Sequence, residues 1–241
     1  MKTNPFRFKL YLSFFFLFPV YGLTQTAEEY FSRGFNKNIV GDFSGAITDY
    51  TKAIEINPMF IDAYHNRAQA KYALQDFEGA ISDYNKAIEM NPKDIKICYH
   101  WRALAKSELK DYMGAIADNS KIIEIDPNDA VAYNNRGNAK NALQDFIGAM
   151  ADFNKAIRIK PMDATYYFNR GLVKHNLKDN RGAIADYSKA IELNPKDGCS
   201  FFNRGLARIT IGLKELGCLD LSKAGELDYI QAYEAIKENC N

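Results

Sequence analysis

The apolar positions of this chain follow a helical spacing that restarts about every 34 residues. Within each period, apolar residues recur three or four positions apart in two successive runs, which predicts two amphipathic helices. A proline closes each period, and these prolines lie 34 or 35 residues apart, at Pro58, Pro92, Pro127, Pro161 and Pro195. A fixed period of this length indicates one supersecondary unit copied along the chain, and such units stack into a solenoid.

Counting the proline as position 32 divides the chain into six repeats with common features. Position 4 is aromatic, and positions 8 and 20 are Gly or Ala, which lets two helices approach closely. Position 24 is large and apolar except for Asn119, and position 27 is Ala except for Ile122. An aspartate before each of the first five second helices can cap that helix. The predicted repeats are 27–60, 61–95, 96–129, 130–163, 164–197 and 198–228, followed by a capping helix at 229–241.

The pattern of aromatic-4, small-8, Ala-20, aromatic-24, Ala-27 and Pro-32 resembles the tetratricopeptide repeat family over about residues 27–228. The resemblance implies an all-α, right-handed alpha-alpha superhelix (solenoid) whose first helices line a concave groove. It also implies a non-catalytic module that binds a protein or an extended peptide in that groove. The alternative function is a structural scaffold that self-associates through exposed terminal repeats.

The composition further restricts the class of binding partner and the kind of function. Lys and Arg number 31 against 30 Asp and Glu, so the chain lacks the basic excess typical of nucleic-acid binding. No Cys-x-x-Cys pair and no Cys/His cluster with zinc spacing occurs in the sequence, and no nucleophile is paired with a histidine. We therefore expect no enzyme activity, no cofactor and no metal.

The first 22 residues have the features of an export signal. Lys2, Arg7 and Lys9 precede an apolar run at 10–20, and Gly22 offers a small residue for cleavage. The run is short for a membrane span, so we expect a cleaved signal peptide and a periplasmic or secreted protein without a membrane-spanning segment. An uncleaved N-terminal anchor is the alternative.

The groove positions of the first helices are rich in amides, histidines and aromatic rings. An Asn amide donates and accepts hydrogen bonds as a peptide backbone does, and a row of them resembles the asparagine ladder of some long tetratricopeptide grooves. The alternative is that these amides bond helix ends or water. The candidate peptide-binding residues are His65, Asn66, His100, Trp101, Asn134, Asn135, Asn138, Phe168, Asn169, Phe202 and Asn203.

Two charged positions repeat in every copy. Position 7 is always Arg and position 23 is always Asp. They form either a charged track for a ligand or an internal ladder of bidentate ion pairs, and the unbroken repetition of both partners favours the ladder. Lys at position 26 indicates a solvated outer face with local pairing.

Repeat 3 and the cysteines leave alternatives open. In repeat 3 the only tryptophan, Trp101, replaces a groove Asn, and the exchange of large and small residues either compensates in volume or presents Trp101 as a binding anchor. Consecutive antiparallel helices bring Cys218 and Cys240 to similar heights, which predicts a disulfide between them. Cys98 and Cys199 are expected to be free. The alternative is four reduced thiols.

Overall fold

The computed structural model describes residues 25–90 and 93–240, and that part of the chain is entirely α-helical outside its turns. The expected signal peptide at 1–22 lies outside the described residues. Within them, no helix is both long and apolar enough to cross a membrane. The thirteen described helices are α1 (Ala27–Ile39), α2 (Phe43–Ile56), α3 (Ile61–Ala73), α4 (Phe77–Glu89), α5 (Ile95–Glu108), α6 (Tyr112–Ile125), α7 (Ala130–Ala142), α8 (Phe146–Ile159), α9 (Ala164–Asn176), α10 (Asn180–Leu193), α11 (Gly198–Thr210), α12 (Lys214–Glu226) and α13 (Gln231–Asn239).

Each helix packs against the next one along the chain. The odd-numbered helices also contact one another from repeat to repeat, in the pairs α1–α3, α3–α5, α7–α9 and α9–α11. Because each unit adds to the previous one in the same way, the chain forms an all-α repeat superhelix, as predicted. We call the side of the solenoid that carries the odd-numbered helices the inner face.

Aspartate caps begin five of the second helices. The Asp145 side chain, for example, accepts a hydrogen bond at 2.9 Å from the N–H of Gly148. A Cβ on Gly148 would lie 2.1 Å from Asp145 Oδ2, which explains why glycine follows this aspartate three residues later. The predicted caps are therefore confirmed, and they are Asp42, Asp76, Asp111, Asp145 and Asp179.

Large position-24 side chains fill the space between the two helices of a repeat. In repeat 4 the Phe153 ring is fully buried, and a Cβ on Gly137 would lie 2.9 Å from it. Repeat 3 solves the same packing problem with different residues, since Asn119 and Ile122 are both 1% exposed. Ile122 stands where the other repeats have alanine, so the exchange of large and small residues compensates in volume within this repeat.

The C-terminal helix is tied to the solenoid by a disulfide. Cys218 in α12 and Cys240 directly after α13 are bonded, with their Cα atoms 5.8 Å apart and a sequence separation of 22. The α13 helix also packs on α12, and its Ala232 side chain is fully buried. Cys98 and Cys199 are free thiols.

Candidate functional site

The invariant arginines of position 7 are held in place by aspartates across the helix pair. In repeat 4, Arg136 Nε donates to Asp152 Oδ2 at 3.0 Å and Arg136 Nη2 donates to Oδ1 at 2.7 Å. The same two-pronged pairing recurs in every repeat. The other pairs are Arg33–Asp49, Arg67–Asp83, Arg102–Asp118, Arg170–Asp186 and Arg204–Asp220.

A second cation, which the sequence analysis missed, joins each of these aspartates. Position 11 carries a basic residue in every repeat, and Lys140 Nζ lies 2.7 Å from Asp152 Oδ2. Its spacing of four residues from position 7 was a readable signal, because both side chains then share one helix face. In repeat 1 the Arg33 guanidinium, with help from Lys37, lowers the pKa of Asp49. The position-11 residues are Lys37, Lys71, Lys106, Lys140, Lys174 and Arg208.

The arginines of repeats 2 to 6 also link their repeat to the one before. Arg136 Nη1 donates to Ser120 Oγ at 3.1 Å, and Ser120 belongs to the second helix of repeat 3. The guanidinium lies over the ring of Tyr133, 5.5 Å from its centroid, so one side of it is covered. These contacts occupy the arginines within the fold. They favour the internal ladder of ion pairs rather than a charged track for a ligand.

Lysines at position 26 lie on the outer side as expected. Lys189 Nζ, for example, is 2.6 Å from Glu192 Oε1 one helical turn later. Five of the six position-26 lysines make this local pair, and the sixth, Lys155, lies over the Tyr133 ring instead. The exposed pairs contribute little to stability.

Asparagine amides of repeats 4 and 5 form bonds between neighbouring repeats on the inner face. Asn169 Nδ2 donates to Asn134 Oδ1 at 2.8 Å, although the two residues are 35 positions apart. Asn134, which is 8% exposed, donates in turn to Asn135 Oδ1 at 3.3 Å. The Asn138 side chain is exposed and makes no side-chain hydrogen bond within the described residues. Asn134 therefore helps to fix the row, while Asn138 keeps its amide available.

The amides at the two ends of the inner face are arranged differently. Asn66 Nδ2 donates to the carbonyl of Asp62, and Asn203 Nδ2 donates to the carbonyl of Cys199, both at 2.8 Å. Each bond runs one turn back along the same helix. These two amides follow the alternative in which Asn bonds its own helix backbone. Among residues 25–90 and 93–240, amide-to-amide links between repeats occur only between repeats 4 and 5.

Half-buried aromatic rings lie on either side of the amide row. Trp101 meets Tyr72 edge-on at 5.5 Å and packs against the core around Tyr84. Phe168 packs against Tyr187 at 5.8 Å, and Phe202 packs against Tyr229 at 4.9 Å. Trp101 is thus wedged between repeats 2 and 3 and still presents part of its surface.

The histidines of repeats 2 and 3 line two equivalent cavities. His65 lines a cavity of about 510 Å³ and His100 one of about 540 Å³. Burial lowers the pKa of both imidazoles. The expectation of no Cys/His cluster with zinc spacing did not anticipate a contact in space, in which Cys98 Sγ lies 3.7 Å from His65 Nδ1. The separation of 33 residues between them concealed the contact.

Family comparisons agree with this architecture. Residues 40–75 and 137–178 match a family model described as TPR repeat, and residues 61–94 and 164–197 match one described as tetratricopeptide repeat. The chain belongs to the tetratricopeptide repeat family. No curated protein matches this tetratricopeptide repeat chain significantly.

Solved structures of other proteins share the fold. A tetratricopeptide repeat protein from Parabacteroides merdae is 24% identical, with a TM-score of 0.67, covering 92% of this chain and 87% of its own. MamA from Desulfovibrio magneticus RS-1 is 18% identical, with a TM-score of 0.67, covering 71% and 96%. YrrB, described as a TPR protein with an unusual peptide-binding site, is 22% identical, with a TM-score of 0.60, covering 78% and 97%. At these identities the likeness is one of fold.

Proposed function

We propose that this chain is a non-catalytic module that binds an extended polypeptide segment along its inner face. The tetratricopeptide repeat fold is typical of protein-interaction modules. The balanced charge favours a protein or peptide over nucleic acid as the ligand. The amide row of repeats 4 and 5 contacts the peptide backbone, and the half-buried rings on either side contact apolar side chains.

One observation carries this proposal, which is the amide link from Asn169 to Asn134 between neighbouring repeats. The link aligns the row along the superhelix while Asn138 remains exposed and unbonded within the described residues. Pre-aligned amides reduce the ordering cost of binding, and they match the alternating donors and acceptors of a peptide backbone. A similar fold with a peptide-binding site, that of YrrB, adds support by analogy.

Selection from a random-peptide library on the folded protein tests the proposal. The fluorescence of Trp101, the only tryptophan, reports binding beside the amide row. We expect Asn138→Ala combined with Asn169→Ala to weaken a selected peptide at least tenfold, because each lost backbone contact of this kind contributes about 1 kcal/mol. The matched control is Lys189→Ala, which removes an exposed pair from the outer side.

Backbone recognition has a further signature in the peptide itself. N-methylation of single peptide bonds removes one donor and leaves the side chains unchanged. We expect methylation at the segment facing the amide row to abolish binding, while side-chain replacements there have small effects. Equal affinity of the methylated peptides, or of the double asparagine variant, would exclude the amide row as the binding site.

Export to the cell envelope is part of the same proposal. The disulfide between Cys218 and Cys240 supports it, because disulfides persist in oxidising compartments. Mass spectrometry of the protein recovered from the source cells tests it: we expect a mature chain beginning at Leu23 in a periplasmic or secreted fraction. A cytosolic chain that retains residues 1–22 would contradict export.

Self-association is the second candidate function. It is favoured by apolar side chains at the C-terminal end, where Ile230 is 76% exposed and Tyr233 is 60% exposed. Sedimentation velocity over a hundredfold concentration range separates the two candidates. A concentration-dependent mass that Ile230→Lys returns to the monomer would support the scaffold, and a constant monomer mass would exclude it.

A further inference from the structure

We propose that Cys98 and His65 together bind one soft monovalent metal ion, Cu(I), at the wall of the cavity between repeats 2 and 3. His65 Nδ1 and Cys98 Sγ lie 3.7 Å apart on the neighbouring helices α3 and α5. Both side chains line the cavity of about 510 Å³. An ion entering through this cavity therefore meets a sulfur and a nitrogen donor at the same point.

The two donor atoms already face each other in the free protein. Cys98 is 2% exposed and its Sγ lies against His65 Nδ1, so the S–H of the free thiol lies beside the imidazole. A neutral imidazole presents a lone pair on one ring nitrogen, and Nδ1 is the nitrogen that faces the thiol. Metal binding replaces the thiol proton: thiol, imidazole and Cu(I) give one S–Cu bond, one N–Cu bond and one released proton, and the oxidation states do not change.

The number of donors selects the ion. Within residues 25–90 and 93–240, no group of three or more His, Cys, Asp or Glu side chains is arranged to hold a metal. A structural zinc site takes four protein ligands, so this pair does not supply one. Thiolate is a soft ligand that favours Cu(I), an ion that accepts low coordination numbers.

The spacing of the two donors also fits a single ion. With metal–sulfur and metal–nitrogen bonds of about 2.3 and 2.0 Å, an ion bonded to both atoms at this separation has an angle of about 120° between the bonds. That angle leaves a third position for a small ligand entering through the cavity.

The next repeat provides an internal control for the site. His100 occupies the same repeat position as His65 and lines the equivalent cavity of about 540 Å³. The residue that corresponds to Cys98 in the following repeat is Ala132. The fold therefore presents the same histidine and cavity twice and the thiol only once, so Cu(I) binding is expected at His65 and not at His100.

Anaerobic titration of the full chain with Cu(I), in competition with a chromophoric Cu(I) chelator, tests the proposal. We expect one Cu(I) per chain, lost in Cys98→Ser and weakened at least tenfold in His65→Gln. We expect His100→Gln and Cys199→Ser to bind as the wild type does. Affinity should rise about tenfold per pH unit on the acid side of the thiol pKa, because one proton is released.

X-ray absorption of the Cu(I)-loaded chain gives an independent readout that does not depend on a folded Cys98 variant. We expect one sulfur and one nitrogen scatterer, with the nitrogen absent in His65→Gln. Equal Cu(I) affinity in the wild type and His65→Gln, or loss of binding in Cys199→Ser alone, would overturn the proposal. So would the absence of stoichiometric binding to the folded wild-type chain.

Discussion

Arg136 donates two parallel hydrogen bonds to Asp152 across the fourth helix pair, and Asp152 is only 3% exposed. Replacing Arg136 by alanine removes both bonds, the contact with Ser120 and the stacking on Tyr133. Breaking a buried charged pair by removing one partner costs about 3–5 kcal/mol. Because Lys140 still holds Asp152, we expect Arg136→Ala to reduce the free energy of unfolding by about 3 kcal/mol in urea denaturation.

The control for Arg136→Ala is Lys189→Ala, which breaks the exposed pair with Glu192. We expect this variant to reduce the free energy of unfolding by less than about 1 kcal/mol. Removal of both Arg136 and Lys140 leaves Asp152 with neither cation. This double variant should have a lower free energy of unfolding than either single variant. A midpoint for Arg136→Ala within error of the wild type would mean that the guanidinium is solvated rather than structural.

The repeat register predicts these pairs well, and the reason is physical. Positions 7 and 23 are fixed on two helices whose packing is set by the small and large residues at positions 8, 20 and 24, so identical spacing produces identical contacts. The same logic could have found the third partner at position 11. Contacts that occur once, such as Cys98 with His65, have no periodic signal, and the sequence analysis missed that contact.

Position 15, the turn between the two helices, requires a left-handed backbone. Gly41 and Gly212 occupy it in the first and last repeats, but Gln144 has φ 61° at the same position in repeat 4. The left-handed region costs a non-glycine residue roughly 1–2 kcal/mol, and glycine returns part of this through its larger unfolded entropy. We therefore expect Gln144→Gly to raise the free energy of unfolding by about 0.5 kcal/mol.

The reverse change is the matched control. A Cβ on Gly41 would meet no atom within 4 Å, so Gly41→Ala tests the backbone alone. We expect it to destabilise the chain by about 1 kcal/mol in the same denaturation experiment. Stabilisation by Gly41→Ala would show that the backbone conformation at this turn is not the controlling factor.

Asn119 is a polar residue at a position that other repeats fill with apolar side chains. It is 1% exposed, its Nδ2 donates to the Ala115 carbonyl at 2.9 Å, and its Oδ1 has no hydrogen-bond partner in the described part of the chain. Removing a buried unsatisfied acceptor recovers its desolvation penalty. We expect Asn119→Leu combined with Ile122→Ala to raise the thermal midpoint, with a gain of about 1 kcal/mol.

This double variant copies the sixth repeat, which has Leu221 and Ala224 at the same positions, both fully buried. The single variant Ile122→Ala is the control, and we expect it to destabilise the chain by leaving a cavity beside Asn119. If the double variant melts below the wild type, the polar residue is required by packing that the repeat pattern does not represent.

On the inner face, the repeat pattern predicts the position of each asparagine but not its hydrogen-bond partner. Position 6 correctly places Asn66, Asn135, Asn169 and Asn203 on corresponding turns of the odd-numbered helices. It does not distinguish an amide that bonds its own helix, as Asn66 does, from one that bonds the preceding repeat, as Asn169 does. That difference depends on the residue at position 5 of the preceding repeat, where Asn134 replaces the histidine or phenylalanine of other copies.

The disulfide between Cys218 and Cys240 is expected to control the last helix rather than the whole solenoid. It closes a segment of 22 residues, for which loop-closure entropy corresponds to about 3 kcal/mol. Because each repeat contacts only its neighbours, this stabilisation acts locally on α13 and its packing on α12. We predict that Cys240→Ser lowers the hydrogen-exchange protection of α13 amides strongly and leaves α3 to α8 unchanged.

Reduction of the wild-type chain should reproduce this effect, and reduction of Cys240→Ser should add nothing to it. Full protection of α13 in the reduced wild-type chain would show that packing of Ala232 on α12 suffices without the bond.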